Sequence, residues 1–157
     1  MTESTATHAT FAIERRYAAS PARVFEAFAD PKVKAEWFNG PAEWGPDEHE
    51  LDFRVGGTET SRGGPQGGPV HTFNAIYHDI VREQRIVYSY EMLMDGTRIS
   101  VSLGTVELEP SEAGTLMLYT EQGAYLDGYD DAGQREHGTR ELFDQLDAML
   151  MRQHVGA

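Results

Sequence analysis

Apolar and polar residues alternate along much of this sequence, and a helical period replaces the alternation near the C-terminus. Alternating segments, which are typical of strands that bury one face, span residues 10–17, 51–55, 70–81, 85–94, 99–108 and 115–122. A polar segment, 58–62, is predicted to return as an edge strand. Asp95-Gly96 is a strong hairpin signal, and a slip in phase after Leu103 predicts a β-bulge near Gly104.

Two short helices are predicted directly after the first strand. Ser20 precedes Pro21, and Asp30 precedes Pro31, so each pair places an N-cap residue before a proline in the first helical position. Two such signals in close succession predict two brief helices that meet at an angle. The second helix is expected to end near Trp37.

The C-terminal segment 131–153 is predicted to form one long helix. Asp131 and Gln134 form a capping pair at its start. One apolar face contains Leu142, Leu146, Met149 and Leu150. Gly138 lies on the same face, although glycine costs about 1 kcal/mol relative to alanine inside a helix. A glycine on the buried face suggests that something approaches the helix backbone closely at Gly138, and Gly138 and Thr139 are expected to form a wall of a cavity beneath the helix.

Five stretches of sequence carry a resemblance to a known superfamily. They are SPARVFEAF (20–28), DPKVKAEWF (30–38), DFRVGG (52–57), TEQGAYLDG (120–128) and REHGT (135–139). With the order of elements, they resemble the helix-grip fold of the SRPBCC (START-like) superfamily. The branch indicated is related to the activator of the heat-shock chaperone ATPase and to an enediyne self-sacrifice resistance protein.

The resemblance implies an α+β fold, in which a curved antiparallel sheet of about seven strands, with two short helices, wraps around the long C-terminal helix. Residues 1–9 are expected to be a flexible tail and residues 10–157 a single domain. Most relatives have a tryptophan after the glycine of the last stretch, whereas Thr139 stands there in this chain. That difference is expected to enlarge the space beneath the helix.

The same fold implies an apolar cavity between the sheet and the long helix, with a few polar groups that orient a ligand. The residues predicted to bind a ligand there are Trp37, Phe53, Phe73, Tyr88, Tyr90, Met92, Tyr119, Gly138, Thr139 and Leu142. The alternative is that the aromatic residues among them only fill the core, as aromatic side chains often do.

Candidate catalytic residues are sparse. Glu121 ends the last strand, and His137 lies one helical turn before Glu141, so a histidine–carboxylate pair is a candidate for acid–base chemistry. A solvated histidine near a helix start is the favoured alternative. The Glu48-His49-Glu50 run is expected to be a solvated part of a strand, because no second histidine has ligand spacing. No metal site and no cofactor are predicted.

Composition narrows the possible partners. The formal net charge of −13 opposes binding to nucleic-acid phosphates, and no apolar run approaches the roughly 20 residues that span a membrane. The sequence has no cysteine and no signal-peptide pattern, which fits a cytoplasmic protein. The expected edge strand 58–62 would permit a homodimer.

Three functions are compatible with this reading of the sequence. The first is binding of a small hydrophobic or aromatic molecule without catalysis, which we favour over an enzyme. The second is an enzyme resembling polyketide cyclases or hydrolases, which would use the same cavity. The third is a co-chaperone-like interaction domain.

Overall fold

A computed structural model describes the backbone of residues 4–155 and the side chains of residues 4–152. Seven strands form one antiparallel sheet in the order β1-β7-β6-β5-β4-β3-β2. The strands are β1 (Ala6–Tyr17), β2 (Glu48–Leu51), β3 (Thr58–Gly63), β4 (His71–Val81), β5 (Arg85–Met94), β6 (Thr97–Ser111) and β7 (Gly114–Leu126). The expected curved antiparallel sheet of an α+β helix-grip fold is confirmed.

Three helices complete the fold: α1 (Pro21–Ala29), α2 (Pro31–Trp37) and α3 (Ala132–Val155). Their predicted caps are present. Ser20 Oγ accepts a hydrogen bond from the backbone N of Arg23 at 3.2 Å, and Asp30 Oδ1 accepts one from Lys32 N at 2.8 Å. Asp131 Oδ1 accepts one from Gln134 N at 2.9 Å. The helices therefore begin where short-range capping predicts.

The core lies where the lower half of α3 packs on the sheet and on the two short helices. Helix α3 contacts β1 and α2. The fully buried side chains here include Ile13, Tyr17, Trp37, Met117, Leu146, Met149 and Leu150. Packing of this apolar layer fixes the helix across the concave face of the sheet.

Several strand boundaries differ from the predictions, and β7, for example, runs to Leu126, so Glu121 does not end this strand. Strand β1 begins at Ala6, so residues 6–9 of the predicted flexible tail pair with β7, while residues 1–3 lie outside the described residues. Strand β2 ends at Leu51, where residues 51–55 were predicted to be the strand. A tight turn replaces its second half, because Gly57 N donates to Arg54 O at 2.8 Å.

The predicted edge strand is not at an edge. Strand β3 pairs with β2 on one side and with β4 on the other, and the edges of the sheet are β1 and β2. The short strand that pairs with β3 on its outer side is β2, which contains Glu48, His49 and Glu50. Residues 58–62 therefore offer no exposed edge through which a homodimer could form.

The bulge in β6 lies at Ile99 and not near Gly104. Met92 pairs with Ser100 while Leu93 pairs with Arg98, so Ile99 is the extra residue. Ile99 and Ser100 are both buried, and the strand beyond them turns Val101 outward. A hydrogen bond explains why Ser100 faces inward next to Ile99: its Oγ accepts a hydrogen bond from Arg135 Nη2 at 2.7 Å.

The position of the bulge predicts opposite outcomes for two neighbouring substitutions. Ile99→Ala removes buried methyl groups and is expected to lower the free energy of unfolding by about 2 to 4 kcal/mol. Val101→Ala, on the outer face, is expected to change it by less than about 1 kcal/mol. Urea unfolding of both variants measures the difference, and similar large losses in the two would contradict a bulge at Ile99.

Candidate ligand-binding cavity

A cavity of about 770 Å³ lies between the sheet and the upper half of α3. Strands β4, β5 and β7 provide one wall, while α2, the segment that follows it, and α3 provide the other. Its aromatic and aliphatic lining includes Trp37, Phe38, Phe73, Tyr88, Tyr90, Met92, Tyr119, Leu142 and Phe143. All the residues predicted to bind a ligand line this cavity except Phe53.

Phe53 belongs to the core, although the sequence analysis placed it in the cavity. Its ring lies edge-on against Phe25, with centroids 5.6 Å apart, and against Tyr77, with centroids 5.0 Å apart. Strand β2 ends before Phe53, and the turn that follows sends this side chain toward α1. The alternation of apolar and polar residues at 51–55 does not reveal such a turn.

Gly138 lies at the cavity wall, but the close approach to its backbone that the sequence suggested is not found among the described residues. A Cβ atom built on Gly138 would meet no heavy atom within 4 Å, so nothing approaches the helix backbone there. Gly138 instead leaves open space at the cavity wall. The next residue, Thr139, is buried and donates its hydroxyl proton to Arg135 O at 2.9 Å. The helix therefore lines this part of the cavity with a glycine and a small side chain.

Several lining residues were missed by the sequence analysis. Phe38 packs edge-on against Phe73, with centroids 5.0 Å apart, and Trp44 stacks on His71, with centroids 5.1 Å apart. Phe143 lies on the cavity side of α3, next to Tyr119. Phe38 and Trp44 sit at the end of a helix and in a short 3-10 turn, where no strand or helix period marks the buried side.

The most buried polar side chain of the cavity lining is the carboxylate of Glu121. Its side chain is 1% exposed and lies on the inner face of β7. Tyr119 donates a hydrogen bond to Oε1 at 2.6 Å, and the Tyr90 hydroxyl lies 2.9 Å from both carboxylate oxygens. Tyr88 extends the set, with its hydroxyl 3.1 Å from that of Tyr119. Three phenols thus surround one buried carboxylate.

Arg135 connects this group to helix α3. Its Nη1 donates to the Tyr90 hydroxyl at 2.9 Å and lies 3.6 Å from Glu121 Oε2. Its Nη2 donates to Asp130 Oδ2 at 2.8 Å, in addition to the bond to Ser100. Burial opposes the charge of Arg135, but its interactions with Tyr90, Glu121 and Asp130 outweigh burial and raise its pKa. The guanidinium therefore stays charged and holds the helix to three strands.

The phenols of this group remain protonated at neutral pH. Burial is the largest cause that raises the pKa of Tyr88, Tyr90 and Tyr119 above the ordinary value of 10.0, and the negative charge of Glu121 raises it further. Each phenol consequently has one proton to donate. The group can position and polarise a bound molecule, and it presents no phenolate nucleophile.

His137, the second candidate catalytic residue, lies outside the cavity. Its side chain is 76% exposed, and its Nε2 lies 2.9 Å from Glu141 Oε1 on the next turn of α3. The structure does not bring His137 together with Glu121. The favoured alternative, a solvated histidine near the helix start, matches this position.

A second buried carboxylate lies under α2, and the sequence analysis missed it. Glu59 on β3 accepts hydrogen bonds from Lys34 Nζ at 2.6 Å and from Tyr77 at 2.6 Å, and His49 Nε2 lies 2.7 Å from its other oxygen. The expectation that the whole Glu48-His49-Glu50 run is solvated was wrong for His49, whose side chain is 7% exposed. The reason is that β2 covers β3, so His49 faces Glu59.

Glu59 remains ionised despite its burial. Burial is the largest influence and would raise its pKa, but the charge of Lys34 and the hydrogen bonds from His49, Lys34 and Tyr77 together outweigh it. The pKa of Glu59 is therefore lowered from 4.5 to about 2. Lys34 Nζ also lies 4.5 Å from the centre of the Phe38 ring, so the ion pair contacts a residue of the cavity wall.

Two other kinds of site find no support among residues 4–155. Among the described side chains, those of residues 4–152, no three histidine, aspartate or glutamate groups converge in a way that could hold a metal ion. None of the helices in the same range is long and apolar enough to cross a membrane.

The comparison with known protein families matches almost the entire chain. The family model described as activator of Hsp90 ATPase homolog 1-like protein matches residues 18–151. The chain belongs to this family. Its predicted membership of the helix-grip superfamily, in the branch related to the heat-shock ATPase activator, is confirmed.

Solved structures of similar proteins have the same fold. A protein from Rhizobium leguminosarum is 46% identical over 96% of this chain and 99% of its own, with a TM-score of 0.92. The Mll3558 protein from Rhizobium loti is 49% identical over 92% and 99%, with a TM-score of 0.84. Protein CV1439 from Chromobacterium violaceum is 26% identical over 90% and 96%, with a TM-score of 0.74. No curated protein matches the sequence.

The cavity lies wholly within the part of the chain that the activator of Hsp90 ATPase homolog 1-like family model matches. Its lining begins at Phe28 and ends at Gln145. The cavity is therefore formed by the family domain itself, and residues 4–17 take no part in lining it.

Gly104 is predicted to be essential for the phenol group. A Cβ atom at this position would lie 2.8 Å from the Tyr119 hydroxyl oxygen and 2.8 Å from Tyr88 Cζ. Gly104→Ala is therefore expected to displace both rings and to lower the free energy of unfolding by about 1 to 3 kcal/mol. Gly138→Ala, whose Cβ meets open space, is the control and is expected to stabilise the protein by up to about 1 kcal/mol. Chemical unfolding measures both, and an unperturbed Gly104→Ala variant would contradict the close packing.

The ion pair of Glu59 predicts a specific loss of stability in acid. Because its pKa is lower in the folded state than in the unfolded chain, the stabilisation is fully present above about pH 4.5 and disappears as the pH falls toward about 2. We expect the free energy of unfolding to fall across this interval. The Lys34→Met/Glu59→Gln double variant, which removes the buried pair together, is expected to show a shallower fall. Equal slopes in urea unfolding across this pH range would refute the assignment.

Proposed function

We propose that this protein binds a small hydrophobic or aromatic molecule in the cavity between the sheet and α3. The observation that carries the proposal is the cavity itself, with a volume of about 770 Å³ and one wall formed by a row of aromatic side chains. Small-molecule sites typically occupy about 300 to 1,000 Å³ and combine an apolar lining with a few polar groups. The group formed by Glu121, Arg135 and the three phenols provides those polar groups.

The aromatic wall favours a flat ligand. The rings of Phe38, Phe73, Tyr90 and Tyr88 follow one another with centroid separations of 5.0, 4.8 and 5.9 Å. Such a series gives a planar molecule a continuous surface for stacking and edge-to-face contacts. The lack of cysteine supports a cytoplasmic setting for this binding activity.

A second candidate function, an enzyme that uses the same cavity, is supported by one observation. The hydroxyls of Tyr88 and Tyr119 connect the cavity wall to the buried Glu121 carboxylate through bonds of 3.1 and 2.6 Å. A proton can move along such a chain if a bound substrate releases one. Turnover that is lost in Glu121→Gln, with the fold retained, would favour this enzyme over a binding protein.

Direct detection of a ligand tests the proposal first. Native mass spectrometry of freshly purified protein is expected to show a retained small molecule, and flat apolar compounds are expected to raise the melting temperature because they bind the folded state. A protein that retains nothing, and that no aromatic compound stabilises, would refute the proposed binding function.

A graded series at Gly138 tests the place of binding. Ala, Leu and Trp at Gly138 extend progressively into the open space at the cavity wall, so binding is expected to weaken in that order and to be lost with Trp. His137→Trp is the matched control, since it adds the same side chain to the same turn on the exposed side of α3. Calorimetry measures the affinities. A folded Gly138→Trp variant that binds like the control would place the ligand elsewhere.

A further inference from the structure

The phenols around Glu121 have a fixed direction of hydrogen bonding. An ionised carboxylate only accepts hydrogen bonds, so Tyr119 uses its single proton in the 2.6 Å bond to Glu121. The 3.1 Å bond between the hydroxyls of Tyr119 and Tyr88 must then be donated by Tyr88. The chain runs from Tyr88 to Tyr119 to Glu121, and each proton in it is already in use.

Tyr88 therefore meets the cavity as an acceptor. Its proton points to Tyr119, and the remaining lone pair of its oxygen has no hydrogen-bond partner among the described residues. Tyr90 is committed in a similar way, because it donates to Glu121 and accepts from Arg135. All three tyrosines line the cavity, but Tyr88 is half-buried whereas Tyr90 and Tyr119 are buried. A ligand reaching this end finds an oxygen that requires a donor.

A second lining residue, Gln145, also presents a hydrogen-bond acceptor. Gln145 Nε2 donates to the backbone oxygens of Trp37 at 2.6 Å and Asn39 at 3.3 Å. Both amide protons are used in these bonds, so the side-chain oxygen is the remaining polar capacity of Gln145. Asp47, also a lining residue, accepts a hydrogen bond from Gly40 N at 3.3 Å, and its buried Oδ1 has no hydrogen-bond partner among the described residues. These groups add acceptors, not donors, to the lining.

The charges of the lining oppose a negatively charged ligand. Lys34 and Arg135 are the cations among the described lining residues, whereas the carboxylates are those of Asp47, Glu121, Asp130 and Glu141. Two positive groups thus face four negative ones. Lys34 is neutralised by Glu59, and Arg135 by Asp130 and Glu121. An anion would have no unpaired cation to bind and would lie close to a buried carboxylate.

We propose that the cavity selects neutral aromatic molecules that carry a hydrogen-bond donor, of the phenol or aryl-alcohol class, and rejects aromatic carboxylates. The donor of the ligand binds the Tyr88 oxygen, and its ring lies along the aromatic wall. Tyr88 is then a residue that determines specificity. This inference rests on the proposed binding function and names the chemical class of its ligand.

Three compounds with the same ring and the same substituted position separate the possibilities. Naphthol is a donor, methoxynaphthalene is an acceptor only, and naphthoate is an anion at neutral pH. In calorimetric titrations of the wild-type protein, naphthol is expected to bind about two- to tenfold more tightly than methoxynaphthalene, the worth of one net hydrogen bond. Naphthoate is expected to bind more weakly than both.

Two phenylalanine variants assign the preference to a residue. Tyr88→Phe keeps the ring and removes the acceptor oxygen, so the preference for naphthol over methoxynaphthalene is expected to disappear. Tyr129→Phe is the matched control, because it removes a phenol from another lining residue that is 56% exposed, and the preference is expected to persist. Circular dichroism and melting temperatures establish that both variants are folded.

The outcomes separate this inference from the function on which it rests. Tightest binding of naphthoate, equal binding of naphthol and methoxynaphthalene, or a preference that survives in Tyr88→Phe would overturn the inference and leave aromatic binding intact. If none of the three compounds binds, the proposed function fails for this class of molecule and the inference fails with it.

Discussion

A carboxylate removed from water must be compensated, and the upper half of this molecule is arranged around that requirement at Glu121. The compensating groups come from different elements: Tyr119 lies on β7, Tyr90 on β5 and Arg135 on α3. Arg135 also reaches Ser100 on β6 and Asp130 before the helix. One buried charge therefore connects the helix to three strands, in a region where little apolar packing lies between them.

Glu59 has an equivalent role at the other side of the cavity. Its partners Lys34 and His49 come from α2 and from the edge strand β2, so the ion pair joins the short helix to the sheet. Between the two carboxylates runs the aromatic wall that contains Phe73 and Tyr90. Within each of the groups around Glu121 and Glu59, the polar side chains form hydrogen bonds with one another, which hold them in place at the two sides of the cavity. The apolar packing is concentrated around the lower half of α3. The fold consequently separates a closed core from an open cavity.

This division bears on function. The apolar core explains how the domain is stable, whereas the polar groups with fixed hydrogen-bond directions explain what the cavity can recognise. Because the protons of Tyr88 and Tyr119 are directed toward Glu121, the carboxylate would act through Tyr88 on a ligand that binds as proposed. The hydrogen bonds from Tyr88 to Tyr119 to Glu121 make Tyr88 an acceptor, and in an enzyme they would carry a proton. A binding protein and an enzyme would therefore differ in the molecule that is bound and not in the structure of the cavity.

The sequence alone determined the order of elements and the helix starts, and it indicated nine of the residues that line the cavity, since caps, hairpin signals and strand alternation act over a few residues. It also indicated the family through local stretches such as those around Trp37 and Gly138. Only the tertiary structure decided that the bulge lies at Ile99, that His49 is buried and that Gly138 faces open space. These features depend on partners distant in the chain, as Arg135 shows: its neighbours in sequence mark a helix start, while its partners lie on β5, β6 and β7. Burial and hydrogen bonding between distant segments leave no periodic signal, so the polar centre of the cavity became visible only in the folded molecule.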